Sequence, residues 1–551
     1  MRAVPRAFLA PCVAAVLLHL VLVQPNHPDA LTWAALRLFP LELPVLLLGL
    51  PLLGDGRAAR LLRLALAVLL VLLVLSKAAD FAMFTAFGRS FNPLGDLPLA
   101  GAGVNLLAGA AGGPVAGLAV LGLALALVLL GVALFWAMGV WARLPLFSHR
   151  PWLRRGAGAL ALGTALAGGI ETASILQRWE PRFDPPGAAF TARLAVEELR
   201  LIRRTVADMA AFRQAAETDP FRGRSGLLDR IDSDVVVIFI ESYGRASLEN
   251  PLYAATTRAV LEQAQTALQA GGLAMRTGYL GSSTRGGQSW LAHATFASGL
   301  RTSDQVRYQA LLASGRAGLF HIARQSGFTT AAVMPAITMD WPEGARMGFD
   351  RILAAADLGY RGPPFNWVTM PDQFTLAAFD RLVRLAPREK RLFAQVVLIS
   401  SHAPWVPVPR LIPWEEVGDG RVFAAMAAEG DPPNVVWQDR DRVRDQYRQS
   451  VAYALQVALD WAARAGRDGQ PPLVFLLGDH QAAGFVAQED RFDVPLHVIG
   501  PPDLVAAAAD WGFAPGLIPP ATQGAIPMEG MRDRILTAYS SARAASAGGV
   551  P

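Results

Sequence analysis

Five long apolar runs occupy the first third of this 551-residue chain. Each is long enough, or nearly so, to cross a hydrocarbon core of ~30 Å as a helix. The second run is the weakest, because Glu42 and three prolines interrupt it. The pattern predicts an α-helical membrane domain over residues 1–177 with five transmembrane helices, at residues 8–24, 38–53, 61–75, 115–141 and 157–176.

Basic residues are distributed unevenly between the loops that join these runs. One set of loops, which includes the N-terminus, contains Arg2, Arg6, Arg57, Arg60, Arg143, Arg150, Arg154 and Arg155. The alternate loops carry only Arg37, Lys77 and Arg89. Because positively charged loops stay in the cytoplasm, the N-terminus is expected inside and the chain beyond about residue 178 outside. We therefore expect a multi-pass protein of the bacterial inner (plasma) membrane with an extracytoplasmic, periplasmic domain.

The remainder of the chain has a different pattern. A proline-containing connector at residues 178–230 includes an amphipathic helix near residues 194–212. Residues 231–544 then alternate strand-like and helical runs, which predicts an α/β domain with a mainly parallel sheet covered on both faces. Its predicted strands are residues 235–240, 274–280, 329–334, 395–401, 473–477 and 494–499. Residues 545–551 are expected to form a disordered tail.

Composition narrows the function further. The formal net charge is +5, but topology accounts for much of the basic excess in the cytoplasmic loops, so nucleic acid is not an expected partner. Cys12 is the only cysteine, which excludes an internal disulfide and a cysteine-based metal cluster.

Three of the predicted strands end in residues that bind metals. The run at 235–240 is followed by Glu241, the run at 395–401 by His402, and the run at 473–477 by Gly478, Asp479 and His480. Ligands of open α/β sheets bind beyond the carboxyl ends of the strands. Carboxylates and neutral imidazole suit zinc or manganese. The alternatives are a helix-capping role for Glu241 and a buried, hydrogen-bonded polar cluster around the other residues.

The five apolar runs, the connector and these strand ends resemble the lipoteichoic acid synthase and phosphoethanolamine transferase group of the alkaline phosphatase and sulfatase superfamily. The resemblance implies that Glu241, Asp479 and His480 bind one divalent metal ion, manganese or zinc, together with a hydroxyl nucleophile. It also implies that His402 contacts the substrate phosphate, with a hydrogen-bonded loop histidine as the alternative.

The family's threonine nucleophile has a serine at its place in this chain. In the stretch Gly281-Ser282-Ser283-Thr284-Arg285-Gly286-Gly287-Gln288-Ser289, alignment on the glycines puts Ser289 at that position. Serine can perform the same chemistry once metal coordination lowers the pKa of its hydroxyl. A helix beginning near Ser289 would also favour an incoming phosphate. Thr284 remains an alternative nucleophile.

Further substrate contacts are expected at three positions. Trp341 and Arg346 lie in a loop that corresponds to the phosphate-gripping loop of the synthases, and Trp405 follows His402. The two tryptophans could line a groove or serve as ordinary hydrophobic anchors. Ser289 does not begin the C/S-x-P-x-R signature of true sulfatases, because the proline and the arginine are missing after it. Formylglycine chemistry is therefore not expected.

These features predict metal-dependent transfer of a phospho-alcohol headgroup, of the phosphoglycerol or phosphoethanolamine type. The donor is a phospholipid, the acceptor an envelope glycan or lipid, and the reaction passes through a covalent Ser289 intermediate. Two alternatives stay open: a sulfatase-like hydrolase of phosphate or sulfate esters, and a non-catalytic, lipid-sensing scaffold.

Overall fold

The structure is a computed structural model that describes residues 6–87, 89–97, 99–144, 151–175, 187–339, 341–366 and 368–541. The chain divides into two compact units. The first comprises Met1–Thr85 and Arg89–Asp208, and the second comprises Ala86–Gly88 and Met209–Pro551. The predicted tail, residues 545–551, lies outside the described residues.

The first unit is helical. Its helices are α1 (Arg6–Val23), α2 (Glu42–Leu53), α3 (Arg57–Phe87), α4 (Leu99–Ala111), α5 (Gly113–Ala142), α6 (Pro151–Ile175) and the first part of α7 (Phe190–Glu217). Among the described residues, two segments, Arg57–Thr85 and Gly113–Ala142, are long and apolar enough to cross a membrane, whereas Leu9–Val23 and Glu42–Leu53 are apolar but shorter. The count of five spans therefore stays a prediction.

Helix α5 carries the most exposed apolar surface of the first unit. Leu118 and Leu121 are 68 % and 65 % exposed, respectively. Water-exposed leucine at that density is unfavourable, at about 25 cal/mol per Å² of apolar surface, whereas the same surface is stable against lipid. The exposure is what a membrane-spanning helix requires.

The second unit contains nine strands and the remaining helices. The strands are β1 (Val235–Ile240), β2 (Ala274–Gly281), β3 (Thr329–Met334), β4 (Arg351–Ala354), β5 (Leu392–Leu398), β6 (Leu473–Gly478), β7 (Asp493–Gly500), β8 (Ala514–Pro515) and β9 (Ala525–Pro527). The helices after α7 are α8 (Ala246–Glu249), α9 (Ala254–Ala270), α10 (Ser289–Ser298), α11 (Gln305–Ala313), α12 (Leu319–Gln325), α13 (Asp372–Phe379), α14 (Ala424–Ala427), α15 (Pro433–Val436), α16 (Arg440–Ala465), α17 (Gly484–Ala487), α18 (Pro502–Ala506) and α19 (Met531–Ala538).

All nine strands form one mixed sheet. Its order is β4-β3-β5-β1-β6-β7-β2-β8, and β9 pairs with β2. Strands β7 and β8 run opposite to the other seven, because β7 is antiparallel to both β6 and β2 and β8 is antiparallel to β2. The sheet is therefore not parallel throughout. Residues 479–492 between β6 and β7 contain only a four-residue helix, too little chain for the crossover that a parallel neighbour needs.

Side chains of β1 alternate between two separate hydrophobic cores. Val236, Ile238 and Ile240 face the core built with α9, α13 and α16. The intervening Val235, Val237 and Phe239 face the core that includes residues of α10, α12 and α19. Burial on both faces explains why the strand is a continuous apolar run, and it confirms the predicted cover on both sides of the sheet.

Gly478 ends β6 at a point where no side chain fits. A Cβ at this position would overlap the carbonyl oxygen of Tyr243. We expect Gly478→Ala to destabilise the second unit by about 3 kcal/mol or more, because backbone rather than a flexible side chain would have to move. Thermal unfolding of the purified protein measures the effect. Gly484→Ala is the matched control, since nothing lies within 4 Å of its Cβ position; equal stability of the two variants would contradict the expectation.

Candidate active site

Three adjacent strands, in the order β5-β1-β6, deliver the predicted ligands to one edge of the sheet. In the register of the sheet, Ile240 pairs with Leu398 on one side and with Gly478 on the other. The residues that follow these positions therefore lie side by side. Strand β2 runs in the same direction as β6, so its end brings the loop that precedes Ser289 to the same edge.

Glu241, Asp479, His480 and Ser289 meet at this edge. The Ser289 Oγ donates to Glu241 Oε2 at 2.9 Å and lies 3.3 Å from His480 Nε2. His480 Nε2 lies 3.1 Å from Glu241 Oε1 and 3.8 Å from Asp479 Oδ1. Glu241, Asp479 and His480 are buried, and each offers one ligand atom in a group whose members lie within 4.8 Å of one another. The sequence prediction placed these four residues together, and the structure does the same.

Backbone groups orient Asp479 and His480, the two predicted ligands that follow β6. Asp479 Oδ1 accepts from the amides of Ser242 at 2.9 Å and His480 at 2.7 Å. His480 Nδ1 lies 2.8 Å from the carbonyl oxygen of Gln481, which requires the proton on Nδ1. In the neutral ring, Nε2 then keeps its lone pair toward the other ligands. This is the arrangement in which a metal-binding histidine is held by a hydrogen bond from its second nitrogen.

The buried charges shift the pKa values of these groups strongly. Burial and the Glu241 carboxylate raise the pKa of Asp479 to about 7. Burial opposes charging of His480, but the carboxylates of Asp479 and Glu241 raise its pKa to about 9. Burial also acts to raise the pKa of Glu241, but the imidazoles of His402 and His480 hold it well below the usual range. Two carboxylates packed in this way need a positive charge beside them.

A divalent cation fits this donor set. Asp479 Oδ2 is buried and has no hydrogen-bond partner among the described residues, although an isolated buried carboxylate oxygen is costly. The donors are carboxylate oxygens, one imidazole nitrogen and one hydroxyl, with no thiolate. Such a set suits zinc or manganese.

Ser289 is the first residue of α10, at the place where the chain turns into the helix. Gln288 before it has φ 65°, and Gly286 and Gly287 have φ 74° and 146°. This left-handed backbone favours glycine and sets the hydroxyl at the positive end of the helix. By contrast, Thr284 is 4 % exposed and its Oγ1 is buried without a partner among the described residues. Ser289 therefore lies within hydrogen-bond distance of the predicted ligands, whereas the Thr284 hydroxyl makes no hydrogen bond to them among the described residues.

His402 lies in the loop after β5. Its Nδ1 is 2.7 Å from the carbonyl oxygen of Ala403, and its charge contributes to the low pKa of Glu241. The neighbouring Ser401 donates from Oγ to the backbone oxygen of Glu241 at 2.6 Å. These contacts place His402 beside the ligand cluster, within electrostatic range of it.

The three further substrate contacts that the sequence predicts, Trp405, Trp341 and Arg346, have different surroundings. Trp405 is 3 % exposed, donates to Ser401 O at 2.7 Å and stacks on Trp437, with ring centroids 5.8 Å apart. Trp341 is half-buried against the core. Arg346 lines a cavity with Ala297 and Ser298 at the C-terminal end of α10, a helix of ten residues, or about 14 Å. The structure therefore does not bring Arg346 to Ser289.

Asp372 is a supporting residue that the sequence reasoning missed. It is fully buried, and its Oδ1 accepts from the amides of Ile399 at 2.7 Å and Ser400 at 2.9 Å. Burial raises its pKa to about 6. The side chain fixes the start of the loop that carries His402. Its only sequence signal is its position after Pro371, which indicates the start of a helix and nothing of this contact.

Two other histidines are buried and belong to the core. His497 on β7 lies between Thr277 Oγ1 at 2.8 Å and Tyr243 Oη at 3.0 Å. His293 packs on Phe239 with ring centroids 4.1 Å apart, and burial lowers its pKa to about 3. Both imidazoles are therefore neutral at physiological pH and add no charge to the site.

The chain is similar to one protein family and to several solved structures. The sulfatase family model matches residues 233–508, which is half of the chain. A search among curated proteins gives no match. Among solved structures, the chain is similar to lipooligosaccharide phosphoethanolamine transferase A from Neisseria meningitidis, with 14 % identity over 96 % of each chain and a TM-score of 0.46. It is also similar to the lipoteichoic acid synthase LtaP from Listeria monocytogenes, with 13 % identity over 53 % of this chain and 71 % of that one and a TM-score of 0.36.

The family match covers β1, β5 and β6 together with all four residues that meet at their ends. It confirms the resemblance to the alkaline phosphatase and sulfatase superfamily. The chain belongs to the sulfatase family.

Proposed function

We propose that this protein transfers a phospho-alcohol headgroup from a phospholipid to an envelope glycan or lipid. One observation carries the proposal: the hydroxyl of Ser289, at the N-terminus of α10, lies within hydrogen-bond distance of Glu241 and His480. A nucleophile held in this way is suited to attack a phosphorus atom. The serine lacks the signature that formylglycine formation requires, which favours a phosphoryl acceptor over sulfatase chemistry.

One divalent ion, zinc or manganese, would be held by Glu241, Asp479, His480 and Ser289. When bound, such an ion lowers the pKa of a hydroxyl and offsets the negative charge of a phosphate diester. The chain's own residues supply the positioning. The backbone amides that bind Asp479 Oδ1 and the bond from His480 Nδ1 to Gln481 O hold the ligand side chains in place before substrate arrives.

In the first half-reaction, the Ser289 oxygen forms a bond to phosphorus while the bond from phosphorus to the diacylglycerol oxygen breaks. The Ser289 proton is released to solvent, because the pKa of Glu241 is held well below the usual range and its carboxylate stays ionised. The departing diacylglycerol oxygen needs a proton, and His402 is placed beside the cluster to donate it or to stabilise charge on the phosphoryl oxygens. The products are diacylglycerol and a phospho-alcohol ester of Ser289.

In the second half-reaction, a hydroxyl of the acceptor attacks the same phosphorus. The bond from phosphorus to Ser289 breaks, and the serine oxygen regains its proton from solvent. The acceptor's proton goes to His402 if that residue gave one up in the first step, and to solvent if it did not. The enzyme returns to its starting state, with the phospho-alcohol on the glycan or lipid.

A membrane anchor suits a lipid donor. We propose that residues 1–177 form the membrane domain, residues 178–230 the connector and residues 231–544 the catalytic domain. With the N-terminus in the cytoplasm, the catalytic domain faces the periplasm, where envelope acceptors are found.

Product analysis tests the transfer. Purified full-length protein is given phosphatidylglycerol or phosphatidylethanolamine labelled in the headgroup, with and without a glycolipid extract of the cell envelope. We expect diacylglycerol to be released and the label to appear on the acceptor. Release of free phospho-alcohol at the same rate in both samples would contradict transfer and identify a hydrolase.

A further inference from the structure

A second polar cavity lies in the catalytic unit, away from the metal ligands. It has a volume of about 250 Å³ and opens at the C-terminal end of α10. Its lining includes Ser298, Arg316, His321 and Arg346. Because Ser289 is at the opposite end of the same ten-residue helix, the two sites are separated by about 14 Å.

Arg316 is a buried cation with hydrogen-bonding capacity to spare. Its side chain is 3 % exposed. The Nε donates to Ser298 O at 2.9 Å, and Nη1 donates to Thr218 O at 2.8 Å. Nη1 also forms an ion pair with Asp219 Oδ1 at 3.8 Å, and Nη2 forms one with Asp533 Oδ1 at 3.9 Å, both longer than a hydrogen bond. The two N–H groups of Nη2 therefore make no hydrogen bond among the described residues and remain for a ligand.

Two further arginines border the same cavity. Arg346 lines it directly. Arg222 lies beside its wall, since Nη2 is 4.0 Å from the Cβ position of the lining residue Gly315. Within the described ranges, neither guanidinium makes an ion pair. Each is an exposed, positively charged group that a bound anion could engage.

The nearby carboxylates, Asp219 and Asp533, already accept hydrogen bonds from another arginine. Asp219 accepts from Arg532 at 2.7 Å, and Asp533 accepts from the same guanidinium at 2.6 Å. Arg316 and Arg532 share these two carboxylates, and Arg222 and Arg346 add positive charge that has no ion pair among the described residues. His321 is held neutral, because burial lowers its pKa, and its Nδ1 is buried without a partner in the described part of the chain.

We infer that this cavity binds a phosphate group, free or esterified, as a second site, separate from the metal centre. Arginine forks match the oxygens of phosphate, and a buried guanidinium with unused N–H groups is the built part of such a site. The volume is below the ~300–1,000 Å³ of pockets for drug-sized ligands. It suits a single headgroup or one phosphorylated sugar, which points to a second phosphate of the donor or acceptor.

Phosphate titration of the full-length protein tests this site. Calorimetry with inorganic phosphate and with glycerol phosphate is run on the protein as purified and after chelation. Chelation removes binding that depends on the metal centre. We expect a second, metal-independent class of sites, whose affinity falls at least about tenfold in the double variant Arg222→Ala and Arg346→Ala, since two charge-assisted contacts are lost.

The controls separate this site from general attraction of anions. Arg361→Ala removes another exposed positive charge from a loop of the same unit and should leave the metal-independent class unchanged. Tighter binding of glycerol phosphate assigns the site to an ester, and tighter binding of inorganic phosphate assigns it to the free ion. The inference is overturned if metal-independent binding is absent, persists in the double variant, or weakens equally in Arg361→Ala. Circular dichroism confirms that each sample is folded.

Discussion

Replacing Ser289 by alanine should reduce headgroup transfer by about 10⁴-fold or more, which is the scale of losing a covalent nucleophile. The fold should persist, because the side chain is half-buried at the first turn of α10 and its hydrogen bonds go to groups of the site itself, Glu241 and His480. Turnover of labelled phospholipid and the thermal unfolding midpoint are measured on the same preparation.

Two further variants test whether the Ser289 hydroxyl, rather than that of Thr284, is the nucleophile. Ser289→Thr keeps a hydroxyl at the same position, so transfer should survive within about tenfold. Thr284→Val removes the competing hydroxyl at nearly constant volume, and its Oγ1 has no hydrogen bond to lose among the described residues. Loss of activity in Thr284→Val together with an active Ser289→Ala would move the nucleophile to Thr284.

The second large effect is expected for Asp479→Asn, which should abolish metal retention and, with it, transfer. The amide oxygen will take the place of Oδ1, which accepts from the amides of Ser242 and His480. The amide nitrogen must then replace Oδ2 and direct N–H groups at the cation. One ligand and one negative charge are lost without a change of volume. Elemental analysis of the purified protein measures the metal per chain.

Asp372→Asn is the matched control for this substitution. Asp372 is equally buried, accepts two backbone amides through Oδ1, and also has an Oδ2 without a partner in the described residues. It is not among the grouped ligands, so its variant should keep its metal. Metal loss in both variants would show that any substitution at this edge of the sheet weakens metal binding. The result would contradict a specific role of Asp479 as a metal ligand.

The grouping of Glu241, Asp479 and His480 could be predicted from the sequence because each follows a strand that is buried on both faces. Such strands are continuous apolar runs, and their carboxyl ends meet at one edge of the sheet. Glu241 and Asp479 follow residues that pair directly, Ile240 and Gly478. Ser289 required the resemblance to a known family as well, since a serine after two glycines is common in loops.

Other features depend on contacts that no local pattern contains. Arg346 was expected to contact the substrate phosphate, but its loop lies near the C-terminal end of α10, opposite Ser289. Strands β4, β8 and β9 have only four, two and three residues, too few for a periodic signal. The reversal of β7 follows from the short connection before it. Asp372 accepts hydrogen bonds from two backbone amides about thirty positions later in the chain. Tertiary structure alone brings these groups together.

The central claim is the covalent ester on Ser289, and intact-mass spectrometry tests it most directly. The protein is incubated with mixed bacterial phospholipids and manganese or zinc, quenched in acid and then digested to map any adduct. We predict a metal-dependent mass increase of one phospho-alcohol, located on Ser289 and absent from Ser289→Ala. An adduct on another residue, or continued turnover without any adduct on Ser289 under rapid quenching, would contradict the account.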